Sequence, residues 1–242
     1  MKKIILFTAC ICLQLCTGLQ AQSDGFGIWS SAEVKKKIIP GLDASLEGEF
    51  RTRDGVKDVE RWAVSPSLSY RLFPFLNASL GYSYINKRVE AETTKKGNYI
   101  PAHWSPRHRF SASLTGSCTW NRLEFSLRER FQFTHRTALS VPKYDGSRKA
   151  DEIISAKSKN MLRSRLQVAW NLRKSPFTPY ASCELYQNMN EGWSVKKTRW
   201  TVGTEYKINK KHSFDLYYRY QDHEDDDETN GHVLGVGYKF KF

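Results

Sequence analysis

The end of the chain constrains its fold more than any other stretch. Leu234, Val236, Tyr238, Phe240 and Phe242 occupy alternate positions, and Val233, Gly235, Gly237, Lys239 and Lys241 fill the places between them. A strand turns successive side chains to opposite faces, so the series gives one aliphatic and aromatic face and one face of glycine and lysine. A helical turn of 3.6 residues would mix the two sets. Such a strand needs neighbours whose apolar faces share one environment.

The same alternation runs backwards along the chain. Phe214, Leu216, Tyr218 and Tyr220 alternate with Asp215, Tyr217, Arg219 and Gln221, and Trp200, Val202, Thr204 and Tyr206 with Arg199, Thr201, Gly203 and Glu205. Leu162, Leu166, Val168 and Trp170 alternate with Arg163, Arg165, Gln167 and Asn171. Residues 42–50, 62–72, 76–84, 110–120, 123–133 and 179–185 repeat the pattern, which gives ten strands counted from Leu42. Charged residues break every apolar run after the N-terminus, and the dozen or so apolar residues there are too few, so no stretch can cross a bilayer of about 30 Å as a helix. Alternating segments of about ten residues are the mark of a transmembrane barrel.

Connection lengths alternate as well. Short links at 73–75, 120–121, 173–176 and 209–211 trade places with long polar ones at 52–58, 87–105, 136–157, 188–197 and 222–231. Short turns belong on the periplasmic side and long loops outside, which makes the C-terminus periplasmic. Tyr70, Trp120, Trp170, Tyr206 and Phe242 fall near the short turns and Trp62, Tyr84, Trp200 and Tyr220 near the long loops, as two interfacial girdles would. A soluble lipocalin-like barrel shares the period but not these asymmetries. The expectation is an all-β, antiparallel transmembrane barrel of about ten strands, within 10–12. Residues 22–40 have no certain place, because a spanning strand there would put the N-terminus outside.

Lys2 and Lys3 precede an apolar run from Ile4 to Leu15 and a small, polar stretch ending at Ala21, which predicts a secretory leader at 1–21, cleaved after Ala21, and a mature barrel domain at 22–242. Three of the five cysteines go with the leader, leaving Cys118 and Cys183, too few for a disulfide framework. Losing Lys2 and Lys3 lowers the formal charge from +13 to +11. That surplus suits anionic headgroups or an arginine-rich interior. Nucleic acid does not suit an exported chain, and the predicted location is the outer membrane of a Gram-negative cell.

Trp29 ahead of a lysine-rich segment, Leu46-Glu-Gly-Glu-Phe-Arg51, and Asn230-Gly-His-Val-Leu-Gly-Val-Gly-Tyr-Lys-Phe-Lys-Phe242 resemble an outer-membrane family known as domain of unknown function 2490. The resemblance covers most of the mature chain and implies a barrel without implying an activity. Tyr238, Phe240 and Phe242 match the terminal aromatic signal that barrel-assembly machinery recognises in many outer-membrane barrels.

Register assigns the lumen Glu47, Glu49, Arg51, Arg61, Arg71, Arg109, Arg128, Arg130, Arg163, Arg165, Arg199, Glu205 and Arg219, with Asp43, Glu124, Glu184, Lys207 and Asp215. A ten-stranded barrel is narrow enough for such side chains to fill nearly all of it. The expected role is structural, or a narrow small-solute channel favouring anions. The alternative is a lipase- or deacylase-type enzyme acting on lipid, with His108 or His135 as a rim base; no serine and acid can be matched to them by spacing, so a non-catalytic barrel is expected. Pairing Cys118 with Leu123 would set His108 opposite Phe133, and would turn Glu129 into hydrocarbon beside Ala112. Within residues 223–228, Asp225, Asp226, Asp227 and Glu228 are the candidate cation ligands, but the stretch lacks the glycine and alternating ligands of a calcium loop, so a solvated acidic tip is expected. No cofactor is implied. The expected partners are outer-membrane lipids and lipopolysaccharide, the latter through loop residues Lys95, Lys96, Arg107, Lys143, Arg148, Lys149, Lys196 and Lys197.

Overall fold

A computed structural model describes residues 26–146, 148–223 and 231–242. The leader and Asp225, Asp226, Asp227 and Glu228 lie outside the described residues.

Among the described residues, eleven strands close into a barrel. In ring order from the N-terminal strand through its C-terminal neighbour, they are β1 (Gly27–Ile39), β15 (Gly231–Lys241), β14 (His212–His223), β13 (Ser194–Lys207), β12 (Phe177–Asn188), β11 (Lys157–Trp170), β8 (Leu123–Arg136), β7 (His103–Trp120), β4 (Leu76–Val89), β3 (Asp58–Phe73) and β2 (Leu42–Arg53). Each of these strands is antiparallel to its neighbours except at the seam, where β1 and β15 run parallel from Gly27 beside Val233 to Lys35 beside Lys241. The reason is arithmetic: direction alternates around a meander, so an odd count forces the closing pair to agree. The segment without a place in the sequence is thus a full member of the sheet, paired also with β2 from Trp29 opposite Arg51.

The alternating residues sort as a membrane barrel requires. Leu46, Leu68, Leu80, Leu114, Leu127, Leu166, Val202 and Leu216 stand exposed on the outer surface. Their strand neighbours Glu49, Arg61, Arg163 and Arg199 turn into the barrel, where they pair with one another or with adjacent polar groups. In a soluble barrel the two faces would be exchanged. Exposed Tyr70, Trp120, Trp170 and Phe242 ring the short-turn end, and Trp62, Trp200 and Tyr220 the long-loop end.

One hairpin differs from the register expected. Trp120 pairs with Leu123, and Asn121 takes a positive φ of 56° as the first of two turn residues. Asparagine tolerates that conformation, so the turn closes after Trp120 rather than through it. The shift sets Cys118 opposite Phe125, His108 opposite His135, and Glu129 opposite Leu114 rather than beside Ala112.

Two of the long links carry strands of their own. β5 (Glu92–Thr93) and β6 (Tyr99–Ile100) lie between β4 and β7, and β9 (Leu139–Asp145) and β10 (Arg148–Ile154) between β8 and β11. Together they form a four-stranded sheet in the order β10-β9-β6-β5, with Ile100 and Val141 buried and the Tyr99 and Tyr144 rings 6.4 Å apart.

Candidate functional site

The inner face is organised around two carboxylates. Glu49 on β2 accepts from Arg51 at 2.7 Å and from Arg61 of β3 at 2.8 Å and 3.1 Å. Arg61 lies opposite Arg51 across the β2–β3 pair, so one carboxylate holds together two guanidiniums that would otherwise repel.

Glu184 on β12 is the larger hub. It accepts from Arg163 at 2.6 Å and 2.7 Å, from Arg128 at 3.1 Å and from the Tyr186 hydroxyl at 3.3 Å. Arg165 and Arg199 stand 3.8 Å and 3.9 Å away. Its side chain is among the most completely buried in the protein, and a buried carboxylate persists only when paired this fully. Arg199 in turn donates to Gln221 at 3.1 Å and to the Tyr186 hydroxyl.

Trp29 joins the two hubs. Its ring lies 3.3 Å from the Arg51 guanidinium carbon, 5.0 Å from that of Arg219 and 5.1 Å from that of Arg199. Arg199 belongs to β13, three strands round the ring from β1, so this stack crosses the lumen. Trp29 is 2 % exposed and Arg199 5 %, so both side chains are packed against their neighbours and narrow the lumen at this level. Gly235, the cross-strand partner of both Trp29 and Tyr217, has no side chain because the Tyr217 ring occupies the place a Cβ would take.

The remaining predicted lumen residues take places around this waist. Arg109 donates to Thr134 at 3.0 Å and Arg219 to Thr201 at 3.0 Å. Arg130 faces Arg163 across β8 and β11. Glu47 lies opposite Glu33 of β1, and Glu205 lies opposite Asp215, which accepts from Tyr180 at 2.9 Å. Arg71 is exposed at the short-turn mouth.

Two residues expected in loops belong inside instead. Arg107 lies on β7 with its Nε buried, and Lys197 on β13 is buried with its ammonium 5.2 Å from the Tyr186 ring centroid. Both were misplaced because β7 and β13 continue beyond the apolar band, where alternation of outward apolar residues gives no signal. Lys143 pairs with Glu152 in the outer sheet at 3.0 Å, and Lys196 with Glu191 at 3.2 Å; Lys95, Lys96 and Lys149 are exposed. Trp29 and Tyr186 went unassigned although period two places Tyr186 on the face of Glu184; Trp29 had no register until the parallel seam supplied one.

His108 and His135 stand side by side across β7 and β8 on the outer face. Tyr82 shares a 2.7 Å hydrogen bond with His108 Nδ1, and Ser158 one of 3.0 Å with His135 Nδ1. These hydroxyls orient the rings without supplying the acid of a hydrolytic triad. Glu129, also on the outer face, accepts from Ser164 at 2.7 Å, which partly satisfies a carboxylate turned toward lipid.

Comparison with known proteins agrees with this architecture. The β domain of the Bordetella autotransporter BrkA superposes with a TM-score of 0.56 at 14 % identity, covering 83 % of this chain and 82 % of that one. The translocator domain of autotransporter NalP from Neisseria meningitidis gives 0.54 at 10 % identity over 86 % and 77 %. The NanC porin gives 0.51 at 17 % identity over 90 % and 98 %. At such identities the likeness is one of fold: these are barrels of the outer-membrane type. No curated protein matches the chain. The family model described as "Protein of unknown function (DUF2490)" matches residues 26–232, and the chain belongs to that family.

Proposed function

We propose that this barrel resides in the outer membrane of a Gram-negative cell, with its short turns and C-terminus toward the periplasm, and that it provides a narrow passage favouring small anions. One observation carries the reading. Four arginines, Arg128, Arg163, Arg165 and Arg199, lie within 4.0 Å of the single carboxylate of Glu184. One negative charge cannot balance four positive ones, so the inner face keeps a positive surplus in a confined space, which favours anions over cations. The outward apolar band meets lipid, the exposed Lys95, Lys96 and Lys149 suit lipopolysaccharide phosphates, and Tyr238, Phe240 and Phe242 serve recognition during barrel assembly.

The waist at Trp29 supports a second reading, a barrel held rigid by its ion pairs with no conducting role. Current across planar bilayers separates the two. An anion-favouring passage gives discrete conductance steps and, under a potassium chloride gradient, a reversal potential of the sign set by chloride. Absence of current from correctly folded protein, or cation preference, would overturn it.

A further inference from the structure

We infer that a square of four arginines on β8 and β11 is a binding site for a small soluble oxyanion carrying two or more negative charges, of phosphate or carboxylate type. Arg130 lies directly opposite Arg163, and Arg128 directly opposite Arg165. Opposed residues in an antiparallel pair stand about 5 Å apart, and next-but-one residues along a strand about 7 Å, so four guanidiniums spring from one small patch of the inner wall. Like charges placed directly opposite destabilise a sheet, and this wall has two such pairs in succession.

The protein's own acid does not complete the set. Glu184 is engaged by Arg163 through two short hydrogen bonds and by Arg128 through a longer one, while Arg165 reaches only 3.8 Å. Arg130 is the opposed partner of Arg163, the arginine that Glu184 holds most closely. The Nε atoms of Arg128, Arg130, Arg163 and Arg165 are all buried, and none has a hydrogen-bond acceptor among the described residues. A guanidinium is a planar fork of five donors suited to bidentate recognition of carboxylate and phosphate. Three of the four forks share one carboxylate and Arg130 stands beyond its reach, which leaves donors and charge for a second, external anion. A multiply charged oxyanion with acceptors at both ends, such as pyrophosphate or citrate, matches two opposed pairs about 7 Å apart along the strands better than a single carboxylate does. The site faces the lumen, so the ligand is a solute and not a lipid headgroup.

The inference deepens the anion-passage reading but requires no conduction to test. Purified barrel in uncharged detergent would be titrated by calorimetry with pyrophosphate, citrate and acetate at matched ionic strength. Pyrophosphate or citrate is expected to bind at least about tenfold more tightly than acetate, the factor that one additional charge-assisted hydrogen bond brings. Which of the two binds better identifies the phosphate or the carboxylate class. Arg130→Gln and Arg165→Gln should each reduce that affinity about tenfold, and Arg122→Gln, at an exposed turn, should leave it unchanged. Arg130→Gln also removes a like charge facing Arg163, so its barrel should unfold no more readily than the parent, which keeps the test independent of folding. Equal binding of all three anions overturns the site, as does a preference that survives both substitutions. Polyanion binding without bilayer current removes the passage and keeps the site; anion-selective current without that preference does the reverse.

Discussion

The Arg51 guanidinium carbon lies 3.3 Å from the ring centroid of Trp29, and this stack joins directly opposed residues of β1 and β2 at the waist of the barrel. Replacing the indole opens the waist and strips Arg51, Arg199 and Arg219 of a common aromatic surface. Trp29→Ala should therefore raise single-channel conductance several-fold, at a stability cost of about 3–5 kcal/mol for losing a buried tryptophan. Bilayer recording and urea unfolding in vesicles measure the two effects. A waist that conducts identically without the indole would show that Trp29 does not limit passage.

Glu184 is the test of what holds the lumen together. Glu184→Gln leaves Arg128, Arg163, Arg165 and Arg199 facing each other without a counter-charge. Breaking a buried pair by removing one partner costs about 3–5 kcal/mol, and the loss here should reach the upper part of that range. The readout is the urea midpoint at constant slope, together with the temperature at which the folded band disappears on an unboiled gel.

Gly235 and Tyr217 make a local prediction. A methyl at Gly235 would overlap the Tyr217 ring, so Gly235→Ala should destabilise by about 1–3 kcal/mol, the usual cost of overpacking. Combining it with Tyr217→Ala removes the clash, and the double variant should be no worse than Tyr217→Ala alone. Strict additivity of the two losses would contradict the packing described.

The parallel seam can be checked covalently. In a background with Cys118 and Cys183 replaced by serine, Ser30→Cys with Val236→Cys places two thiols on cross-strand partners. Mild oxidation should cross-link them, and Ala32→Cys with Leu234→Cys, four residues out of register, should stay reduced. Reversed yields would mean the barrel closes differently.

Most of the barrel was legible before the structure, for a physical reason. Hydrocarbon outside and charge inside impose a period of two, so a pair such as Leu166 and Arg165 declares its orientation in sequence. What period two cannot encode was lost. It does not count strands: Gly27–Ile39 carries Lys35, Lys36 and Lys37 beside Ile38 and Ile39, too polar at one end to declare a lipid face, so the eleventh strand stayed hidden. It does not fix a turn to one residue: the positive φ of Asn121 moved His108 from Phe133 to His135. Nor does it reach past the membrane, where β9 and β10 pair through backbone hydrogen bonds with no repeating apolar signal. The arginine inventory of the lumen was readable; its grouping about Glu49 and Glu184 depended on exact register and on contacts that skip a strand.

Parallel closure also decides where the two ends of the sheet emerge. Gly27 begins level with Val233, while Phe242 donates its backbone N–H to the Lys35 carbonyl at 2.9 Å, beside the short turns. A peptide attached ahead of Gly27 is therefore carried to the long-loop side, and one attached after Phe242 to the other. The two termini of this sheet leave from opposite ends of the barrel, so a ligand fused at one and a tether fused at the other would be held a full strand length apart.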